Sequence, residues 1–430
     1  MKILIYPFST EIAFEIYHSL EYVKNIELYG GADNLKNHGS FVFKNIVPDL
    51  PFISDDSSED DIKAFEEKIK PYDFDIIYPA MDGVIYKFAQ YRILFRENVI
   101  VPAFETVSIT RSKAKTYAAL EDVVQLPEMY KSADDVTEYP VFVKPDVGQG
   151  SVGAKKINSK EELDVAFLNS NGLLILEYLP GEEYTVDCFT NNKGELESVS
   201  PRKRLRMKNG ISMACIAVED AQINEIAAKI NEKIHNKGGW FFQLKKNTTG
   251  DYVLLEVSSR VGGTSAFTRA LGVNLPLLTV NTYCGQYIDS VPLIGHKNLR
   301  IDRALANSYK TDLTFDAVYT DYDDTLVVNG HLNIQLVSFL YNCVDKNLPV
   351  YLLSRHDDEK LGKLEELLER YHITSLFSKV LHIGLSEKKA DYINHKNALF
   401  IDDSYGERKS VKDSLGITVV DPSMLEGFLH

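Results

Sequence analysis

The stretch YPVFVKPDVGQGSVGAKKI, residues 139–157, carries the pattern from which the fold of this chain is predicted. An apolar run with Lys144 near its end leads into the glycine loop Gly148–Gly153, and the short segment AKKI follows. The loop matches GxGxxG, but a dinucleotide site also needs a helix that begins at the loop. Because a strand-like segment follows instead, we predict a β-hairpin whose glycines let backbone N–H groups approach a phosphate. An ordinary hairpin turn is the competing interpretation of the loop alone.

The segments on either side of this hairpin add polar groups at a regular spacing. RSKAKTY lies upstream at residues 111–117, and ILEYLPGEEYTVD lies downstream at residues 175–187. Further on, WFFQ and LLEVSSRVGG are predicted to be two strands of one hairpin. Glu256, Ser258 and Arg260 then share one face of the second strand, because side chains alternate along a strand. Oxygen groups of this kind suit Mg²⁺, and an arginine beside them can stabilise a transferring phosphoryl group.

Taken in this order, the motifs of residues 1–300 resemble the ATP-grasp superfamily, nearest to its carbamoyl-phosphate-synthetase-like and carboxylate–amine ligase branch. The resemblance implies ATP and Mg²⁺ as cofactors. It implies nucleotide contacts for Lys113, Lys144, Gly148, Gly150, Ser151, Gly153, Glu177, Leu179 and Glu183. It implies Mg²⁺ ligation by Gln243, Glu256 and Ser258, and a phosphate-binding, catalytic role for Arg260. Ser258 stands where the family usually has asparagine, so the second Mg²⁺ site is expected to be weaker or completed by water.

The chemistry that this resemblance implies is ligation of two small molecules, a carboxylate and an amine. ATP phosphorylates the carboxylate, and the amine displaces phosphate from the acyl phosphate. The basic strand PRKRLRMKNG, residues 201–210, places Arg202 and Arg204 as candidates for an anionic substrate. A solvated basic strand is the alternative, and a kinase that phosphorylates its substrate without ligation also stays open.

The N-terminal segments predict a Rossmann-like pre-ATP-grasp domain over residues 1–105. KILIY and IELYG are strands, and the helix between them has Ile12, Ile16 and Leu20 on one face. The acidic run at residues 55–61 is predicted to begin a helix rather than to bind a metal, since acidic side chains favour that helix end. The Pro79–Asp82 loop is a candidate for facing the substrate. A two-lobed α+β ATP-grasp domain is predicted to follow, with a flap lobe at 106–176 and a C-terminal lobe at 177–300.

A second chemistry is indicated near the C-terminus. The strand FDAVYT ends in the sequence DYDDT, residues 321–325, and α/β sites form where parallel strands end. Two carboxylates at i and i+2, Asp321 and Asp323, can act as nucleophile and acid–base group. A plain loop or helix-cap motif is the alternative. Ser354 ends the next strand, and paired lysines and then paired aspartates follow, as Lys388, Lys389, Asp402 and Asp403.

This order of residues over 312–430 resembles the haloacid-dehalogenase-like (HAD) superfamily. The resemblance implies Asp321 as nucleophile, Asp323 as acid–base group, and phosphate binding by Ser354 and one lysine. We favour Lys388 over Lys389. Mg²⁺ would be held by Asp402, Asp321 and the backbone carbonyl of Asp323, with a phosphorylated metabolite as substrate. About seven residues separate Thr325 from the next helix, so the site has no cap, and Asp324 replaces the more usual glycine. A non-catalytic regulatory module is the rival interpretation.

The rest of this region, 301–430, predicts a capless parallel-sheet domain. VLHIG, ALFID and ITVV are short buried strands, as in a parallel sheet. DDEKLGKLEELLERYH is predicted to be one helix with Leu361, Leu364, Leu368 and Tyr371 facing inward. The expected fold class of the whole chain is therefore α/β and multidomain.

Composition restricts the partners of this 430-residue chain. Its net charge is −15, from 47 basic and 62 acidic side chains, which argues against nucleic-acid or anionic-membrane binding. No apolar stretch approaches the ~18 residues of a membrane helix. The four cysteines are far apart, which suggests neither a zinc site nor a disulfide framework and favours a reduced, cytoplasmic setting. A homodimer is left open.

Overall fold

The chain forms two compact units, Met1–Leu305 and Ala306–His430. The computed structural model describes residues 1–148, 150, 152–168, 172–208, 210–289, 291, 299–305, 308–309 and 311–428. Among these residues, no helix combines the length and the apolar character needed to cross a bilayer.

A parallel five-stranded sheet opens the first unit. Its strands are β1 (Lys2–Tyr6), β2 (Glu27–Gly31), β3 (Asn45–Val47), β4 (Ile76–Pro79) and β5 (Asn98–Val99), in the order β3-β2-β1-β4-β5. Its helices are α1 (Glu11–Leu20), α2 (Gly39–Val42), α3 (Glu59–Ile69) and α4 (Asp82–Gln90). The predicted strand–helix–strand start is confirmed, and apolar clusters cover both faces of the sheet. The acidic run does begin a helix, because Ser58 and Asp61 form a capping box at α3.

Two helices, α5 (Phe104–Arg111) and α6 (Lys113–Leu120), lead into a small antiparallel sheet. Its strands are β6 (Met129–Tyr130), β7 (Val141–Pro145), β8 (Lys155–Ile157) and β9 (Leu173–Glu177), in the order β6-β9-β7-β8, with α7 (Lys160–Leu168) between β8 and β9. The glycine loop joins β7 to β8, which pair antiparallel, so the hairpin prediction is confirmed. Gly153 has φ +76°, and a Cβ there would lie 2.9 Å from Pro145 Cγ, so only glycine fits this turn. Ser151 lies outside the described residues.

A six-stranded antiparallel sheet completes the first unit. Its strands are β10 (Glu183–Thr190), β11 (Leu196–Lys208), β12 (Ile211–Ala217), β13 (Gly238–Lys246), β14 (Tyr252–Ser258) and β15 (Arg300–Asp302), in the order β14-β13-β10-β11-β12-β15. Its helices are α8 (Ala221–Ile234), α9 (Ala266–Ala270) and α10 (Leu275–Tyr283). The apolar face of α8 packs on Trp240 and Phe242 of β13. The predicted β13–β14 hairpin is confirmed.

The second unit is built on a parallel sheet, as predicted. Its strands are β16 (Ala317–Thr320), β19 (Val350–Ser354), β20 (Lys379–His382), β21 (Ala398–Ile401) and β22 (Thr418–Val420), in the order β20-β19-β16-β21-β22, with the hairpin β17 (Val327–Val328) and β18 (His331–Leu332) beside it. The helices are α11 (Ile334–Asp345), α12 (Asp358–Leu361), α13 (Leu364–Arg370) and α14 (Tyr405–Leu415). The single helix predicted over DDEKLGKLEELLERYH is wrong, because Gly362, at φ +91°, separates α12 from α13 and leaves Leu361 exposed.

Candidate active sites

The first unit contains a cavity of about 390 Å³. The start of α1, the loop after β4, the glycine hairpin and the six-stranded sheet all contribute to its walls. Twelve of the predicted residues line it: Lys113, Lys144, Gly148, Gly150, Glu177, Leu179, Glu183, Arg202, Arg204, Gln243, Glu256 and Arg260. Gly153 and Ser258 are not among the lining residues. Ala80 and Met81, from the Pro79–Asp82 segment that was a candidate for facing the substrate, also line the cavity. Thr10 and Glu11 reach it from the start of α1, and no local pattern in the sequence marks them.

Lys144 is held inside this cavity by two neighbours. Its ammonium donates hydrogen bonds to Tyr117 Oη and to the Leu255 carbonyl, each at 2.9 Å. Burial lowers the pKa of Lys144 to about 8, although the negative charge of Glu256 opposes the change. Lys113 lies one helical turn before Tyr117 on α6, so both side chains project from one face. Within the motif RSKAKTY, only Lys113 was predicted to contact the nucleotide. The spacing of four residues between Lys113 and Tyr117 was the one feature of the sequence that could have indicated Tyr117 as its neighbour.

The pKa of Lys144 predicts how nucleotide affinity depends on pH. An ammonium attracts phosphate, and in the free protein it is present below about pH 8 and lost above that value. MgADP affinity should therefore fall about tenfold from pH 7 to pH 9. Calorimetric titration should show this fall in the wild type and in Lys115→Met, whose lysine is exposed, but a flat profile in Lys144→Met. Equal slopes in all three proteins would contradict the assignment.

The same pKa has the opposite consequence for the stability of the unliganded protein. In the unfolded chain Lys144 keeps its proton up to about pH 10.5, whereas in the fold it loses the proton near pH 8. Between these values the unfolded state binds more protons, so the contribution of Lys144 to the unfolding free energy rises with pH.

Gln243 and Glu256 are direct neighbours across two strands. They form a register pair of β13 and β14, and the row continues through Thr185 of β10 to Arg202 of β11. One row of side chains thus brings oxygen groups and a guanidinium to the same wall of the cavity. Gln243 Oε1 also accepts a hydrogen bond from Arg204 Nη1 at 3.3 Å.

Ser258 and Arg260 are both bound to a residue of the first sheet region, Asp82. Ser258 Oγ donates to Asp82 Oδ1 at 3.0 Å. Arg260 forms a two-point pair with the same carboxylate, through Nε to Oδ1 at 2.9 Å and Nη2 to Oδ2 at 2.6 Å. Burial alone would raise the pKa of Asp82, but the guanidinium of Arg260 and its hydrogen bonds outweigh burial and lower it. Asp82 stands at the end of the predicted Pro79–Asp82 loop and is the first residue of α4.

The predicted adenine and ribose contacts lie where β9 of the small sheet ends and β10 of the six-stranded sheet begins. Glu177 has its backbone N–H bonded to the Glu128 carbonyl at 2.9 Å, and its carboxylate accepts from Glu128 N at 3.3 Å. Leu179 is buried in the cavity wall. Glu183 is paired with Arg204 and lies 3.6 Å from Lys245 Nζ. Its carboxylate is therefore oriented by two cations.

Arg202 is an almost fully buried member of an ion pair. Its Nη1 and Nη2 donate to Asp187 at 2.5 Å and 3.1 Å, and Thr268 Oγ1 donates to the same carboxylate at 2.6 Å. The side chains of Arg202 and Asp187 are 1% and 0% exposed. The alternative that this strand is simply solvated is wrong for Arg202, since its guanidinium is buried and paired with Asp187.

Loss of this pair is expected to destabilise the fold strongly. Asp187→Ala leaves a buried guanidinium without its carboxylate and should lower the unfolding free energy by about 3–5 kcal/mol. Denaturant unfolding measures this effect. Arg206→Ala, which breaks the exposed pair with Asp302, is the matched control and should cost at most about 1 kcal/mol. Equal losses in the two variants would refute the structural importance of the buried pair.

The second unit gathers three carboxylates where β16 and β21 end. Oxygens of Asp321, Asp402 and Asp403 lie within 4.8 Å of one another. The Lys389 ammonium lies 3.0 Å from Asp321 Oδ2 and 2.6 Å from Asp402 Oδ2. The preference for Lys388 is therefore corrected: Lys388 is exposed at the cap of a 3-10 helix, whereas Lys389, its first residue, is 3% exposed.

Two polar atoms at this cluster are buried without a hydrogen bond in the described part of the chain. They are Asp321 Oδ1 and Ser354 Oγ. Burial raises the pKa of Asp321, and burial together with the charge of Asp321 raises the pKa of Asp402 to about 6, although Lys389 opposes both changes. Crowded carboxylates with an unsatisfied oxygen fit a divalent cation, which would relieve their repulsion.

Asp323 is held by a residue that sequence analysis missed, His356. Nδ1 of His356 lies 2.9 Å from both carboxylate oxygens of Asp323, and its Nε2 lies 2.7 Å from the Gly362 carbonyl. Both nitrogens face acceptors, an arrangement that favours the doubly protonated imidazolium. Burial disfavours that charge, but the hydrogen bonds to Gly362 and Asp323 outweigh it and raise the pKa of His356. The only available signal was its position two residues after Ser354.

Comparison with known proteins supports the class of the first unit. Residues 169–302 match a family model described as "ATP-grasp in the biosynthetic pathway with Ter operon". A D-alanine–D-alanine ligase of Fusobacterium nucleatum is 27% identical over 173 residues, which are 36% of this chain and 58% of that protein. The chain therefore matches less than two thirds of that curated relative.

Solved structures show the same fold at low sequence identity. The biotin carboxylase domain of Hydrogenobacter thermophilus 2-oxoglutarate carboxylase, solved with MgADP and bicarbonate, has a TM-score of 0.58 at 14% identity, covering 67% of this chain and 71% of that one. N5-carboxyaminoimidazole synthetase of Staphylococcus aureus with ADP has 0.56 at 15%, covering 68% and 79%. An L-amino acid ligase of Bacillus licheniformis has 0.53 at 18%, covering 66% and 73%. The chain thus contains an ATP-grasp fold, and residues 169–302 carry the sequence pattern of that superfamily.

Proposed function

We propose that the first unit is an ATP- and Mg²⁺-dependent ligase that joins a small carboxylate to a small amine. The observation that carries the proposal is the single cavity in which Lys113, Lys144, Gln243, Glu256 and Arg260 converge. Lysines and an arginine suit a polyphosphate, and the paired side chains Gln243 and Glu256 offer the oxygen ligands that Mg²⁺ prefers. The matched relatives include a D-alanine–D-alanine ligase and an L-amino acid ligase.

The proposed reaction has two steps. A carboxylate oxygen of the substrate attacks the γ-phosphorus of ATP, the bond to the β,γ-bridging oxygen breaks, and ADP leaves. The amine then attacks the acyl carbon, phosphate leaves, and the nitrogen loses a proton. Arg260 and the two lysines donate hydrogen bonds to phosphoryl oxygens and hold the groups in line. Bound Mg²⁺ supplies charge neutralisation on the phosphates.

A screen of amino acid pairs and small carboxylates for ATP-dependent phosphate release tests this function. Asp321→Asn is the protein to use, so that hydrolysis at the second site does not add phosphate. A ligase releases free phosphate and a condensed product in equal amounts, whereas a kinase leaves a phosphorylated product. Phosphorylation without condensation would replace the ligase proposal by the kinase alternative.

We further propose that the second unit is a HAD-type phosphatase acting on a phosphorylated metabolite. Asp321 attacks the phosphorus, and the ester oxygen leaves with a proton delivered through Asp323, which is bonded to the His356 imidazolium. Water then attacks the aspartyl phosphate, Asp323 accepts its proton, and phosphate leaves. Lys389 and Ser354 would bind the phosphate, and Asp321, Asp402 and Asp403 would hold Mg²⁺; the closeness of Lys389 to Asp321 and of the three carboxylates to one another supports these roles.

Phosphatase assays on the full chain with generic phosphate esters separate this proposal from the regulatory-module alternative. Hydrolysis that requires Mg²⁺ and Asp321 supports the catalytic role. Absence of hydrolysis, together with loss of ligase activity in Asp402→Asn, would favour the regulatory role. We also propose the cytoplasm as the location, since all four cysteines are free.

A further inference from the structure

Asp82 joins two parts of the first unit that are far apart in sequence. It is the first residue of α4, shortly after strand β4 of the parallel five-stranded sheet. It binds Ser258, the last residue of β14, and Arg260, which follows it. Its carboxylate accepts three hydrogen bonds in all, two from the guanidinium and one from the hydroxyl. Asp82 itself is not among the residues that line the large cavity, whereas Arg260 is.

The contacts of Arg260 leave part of its guanidinium available. A guanidinium has five N–H donors. Two are bonded to Asp82 and a third to the Val261 carbonyl at 3.2 Å. The guanidinium carbon also lies 5.2 Å from the centre of the Phe241 ring, a cation–π contact. The plane of the group is thereby restricted, and two of its N–H groups have no hydrogen-bond partner among the described residues, so they remain for a ligand in the cavity.

The contact with Ser258 orients a hydroxyl that the sequence made a weak candidate ligand. Asp82 forms a two-point ion pair with the Arg260 guanidinium, and a carboxylate paired in this way only accepts hydrogen bonds. The Ser258 proton must therefore point to Asp82, which leaves the lone pairs of Oγ free for another partner. A hydroxyl that donates to a carboxylate is also a better electron donor.

We propose that Asp82 is a positioning residue that holds Arg260 ready for the γ-phosphate end of the nucleotide. The inference rests on the proposed ligase function and deepens it. The first sheet would thus take part in recognising the terminal phosphoryl group, through α4, without touching the nucleotide. A merely structural pair would contribute to stability alone and would not distinguish a nucleotide with a γ-phosphate from one without it.

Nucleotide binding to the full chain provides the test. Calorimetry compares MgADP with the magnesium complex of the non-hydrolysable ATP analogue AMP-PNP. In Asp82→Asn we expect AMP-PNP affinity to fall about tenfold, because the two-point charged pair that orients Arg260 is lost. ADP affinity should stay within about threefold of the wild type, since ADP has no γ-phosphate to contact Arg260. In the Arg260→Ala background, Asp82→Asn should cause no further loss of AMP-PNP affinity.

Asp55→Asn is the matched control. Asp55 forms an equivalent two-point pair with Arg111, at 2.9 Å and 2.5 Å, and its loss should leave the preference between the two nucleotides unchanged. Asp82→Glu retains the charge needed for folding and moves the carboxylate, so its AMP-PNP affinity should be intermediate.

The outcomes that overturn the inference are distinct from those that overturn the ligase proposal. Wild-type AMP-PNP affinity in Asp82→Asn or Asp82→Glu, or equal weakening of both nucleotides, would reject the positioning role. Failure of the wild-type protein to bind either nucleotide would instead reject the proposed function, and the inference with it.

Discussion

Replacing Asp321 by asparagine is expected to lower hydrolysis of a phosphate ester by about 10³-fold or more. The amide of asparagine is a far poorer nucleophile than a carboxylate, so an aspartyl phosphate cannot form at this position. The fold should survive, because asparagine has nearly the same shape and the backbone bond from Asp321 N to the Ile401 carbonyl at 3.0 Å is retained. Steady-state release of phosphate in the presence of Mg²⁺ is the measurement.

Asp324→Asn is the control for this variant. Asp324 lies in the same loop and is exposed, and its carboxylate is not part of the cluster of Asp321, Asp402 and Asp403. It removes the same charge from the same segment and should leave hydrolysis within about threefold of the wild type. Wild-type hydrolysis in Asp321→Asn would remove this residue as nucleophile. Equal losses in both variants would point to a general charge effect.

Replacing Glu256 by glutamine is expected to lower ATP turnover by about 10²–10³-fold. The change removes the anionic member of the Gln243–Glu256 pair, and the neutral amide is a weaker ligand for Mg²⁺. It also removes the negative charge that partly offsets the burial of Lys144 and Lys113. Phosphate release should therefore fall, and titration with Mn²⁺ in the presence of ADP should show weaker binding of the ion.

Glu182→Gln serves as the control, because Glu182 immediately precedes β10 of the same sheet, is exposed and pairs with Lys203. Its turnover should match the wild type. A Glu256→Gln protein that binds Mn²⁺ and turns over ATP normally would exclude the proposed metal site. The ligase proposal would then need another acidic ligand from the cavity wall.

The candidate nucleotide site was largely predictable because its signals are local. The strand–loop–strand pattern around the glycine hairpin depends on neighbouring residues, and the alternation along β14 places Glu256 and Ser258 on one face. The same reasoning located Asp321 and Asp402 at strand ends. Periods of two and of three to four residues survive in any tertiary context that keeps the strand or helix.

Other features depended on which of two adjacent residues points inward, or on contacts between residues far apart in the sequence. Lys388 and Lys389 are adjacent, and a four-residue 3-10 helix is too short for its inward position to be predicted, so only the fold identified Lys389. Gly362 broke a helix whose leucine spacing looked continuous, because its positive φ ends α12. The burial of Arg202 required a carboxylate from the neighbouring strand, whose register the sequence does not state.

By itself, therefore, the sequence determined the strands, the glycine hairpin and most of the polar groups of both sites, since each is encoded within about 20 residues. Only the tertiary structure decided which of these polar groups are fixed by hydrogen bonds or ion pairs, and which residues are their partners. Asp82 meets Arg260 across 178 positions, and His356 meets Asp323 across 33. Such contacts exist only after the sheets have formed. The distance between two residues far apart in the sequence is set by the packing of their strands and helices, and local periodicity does not determine it.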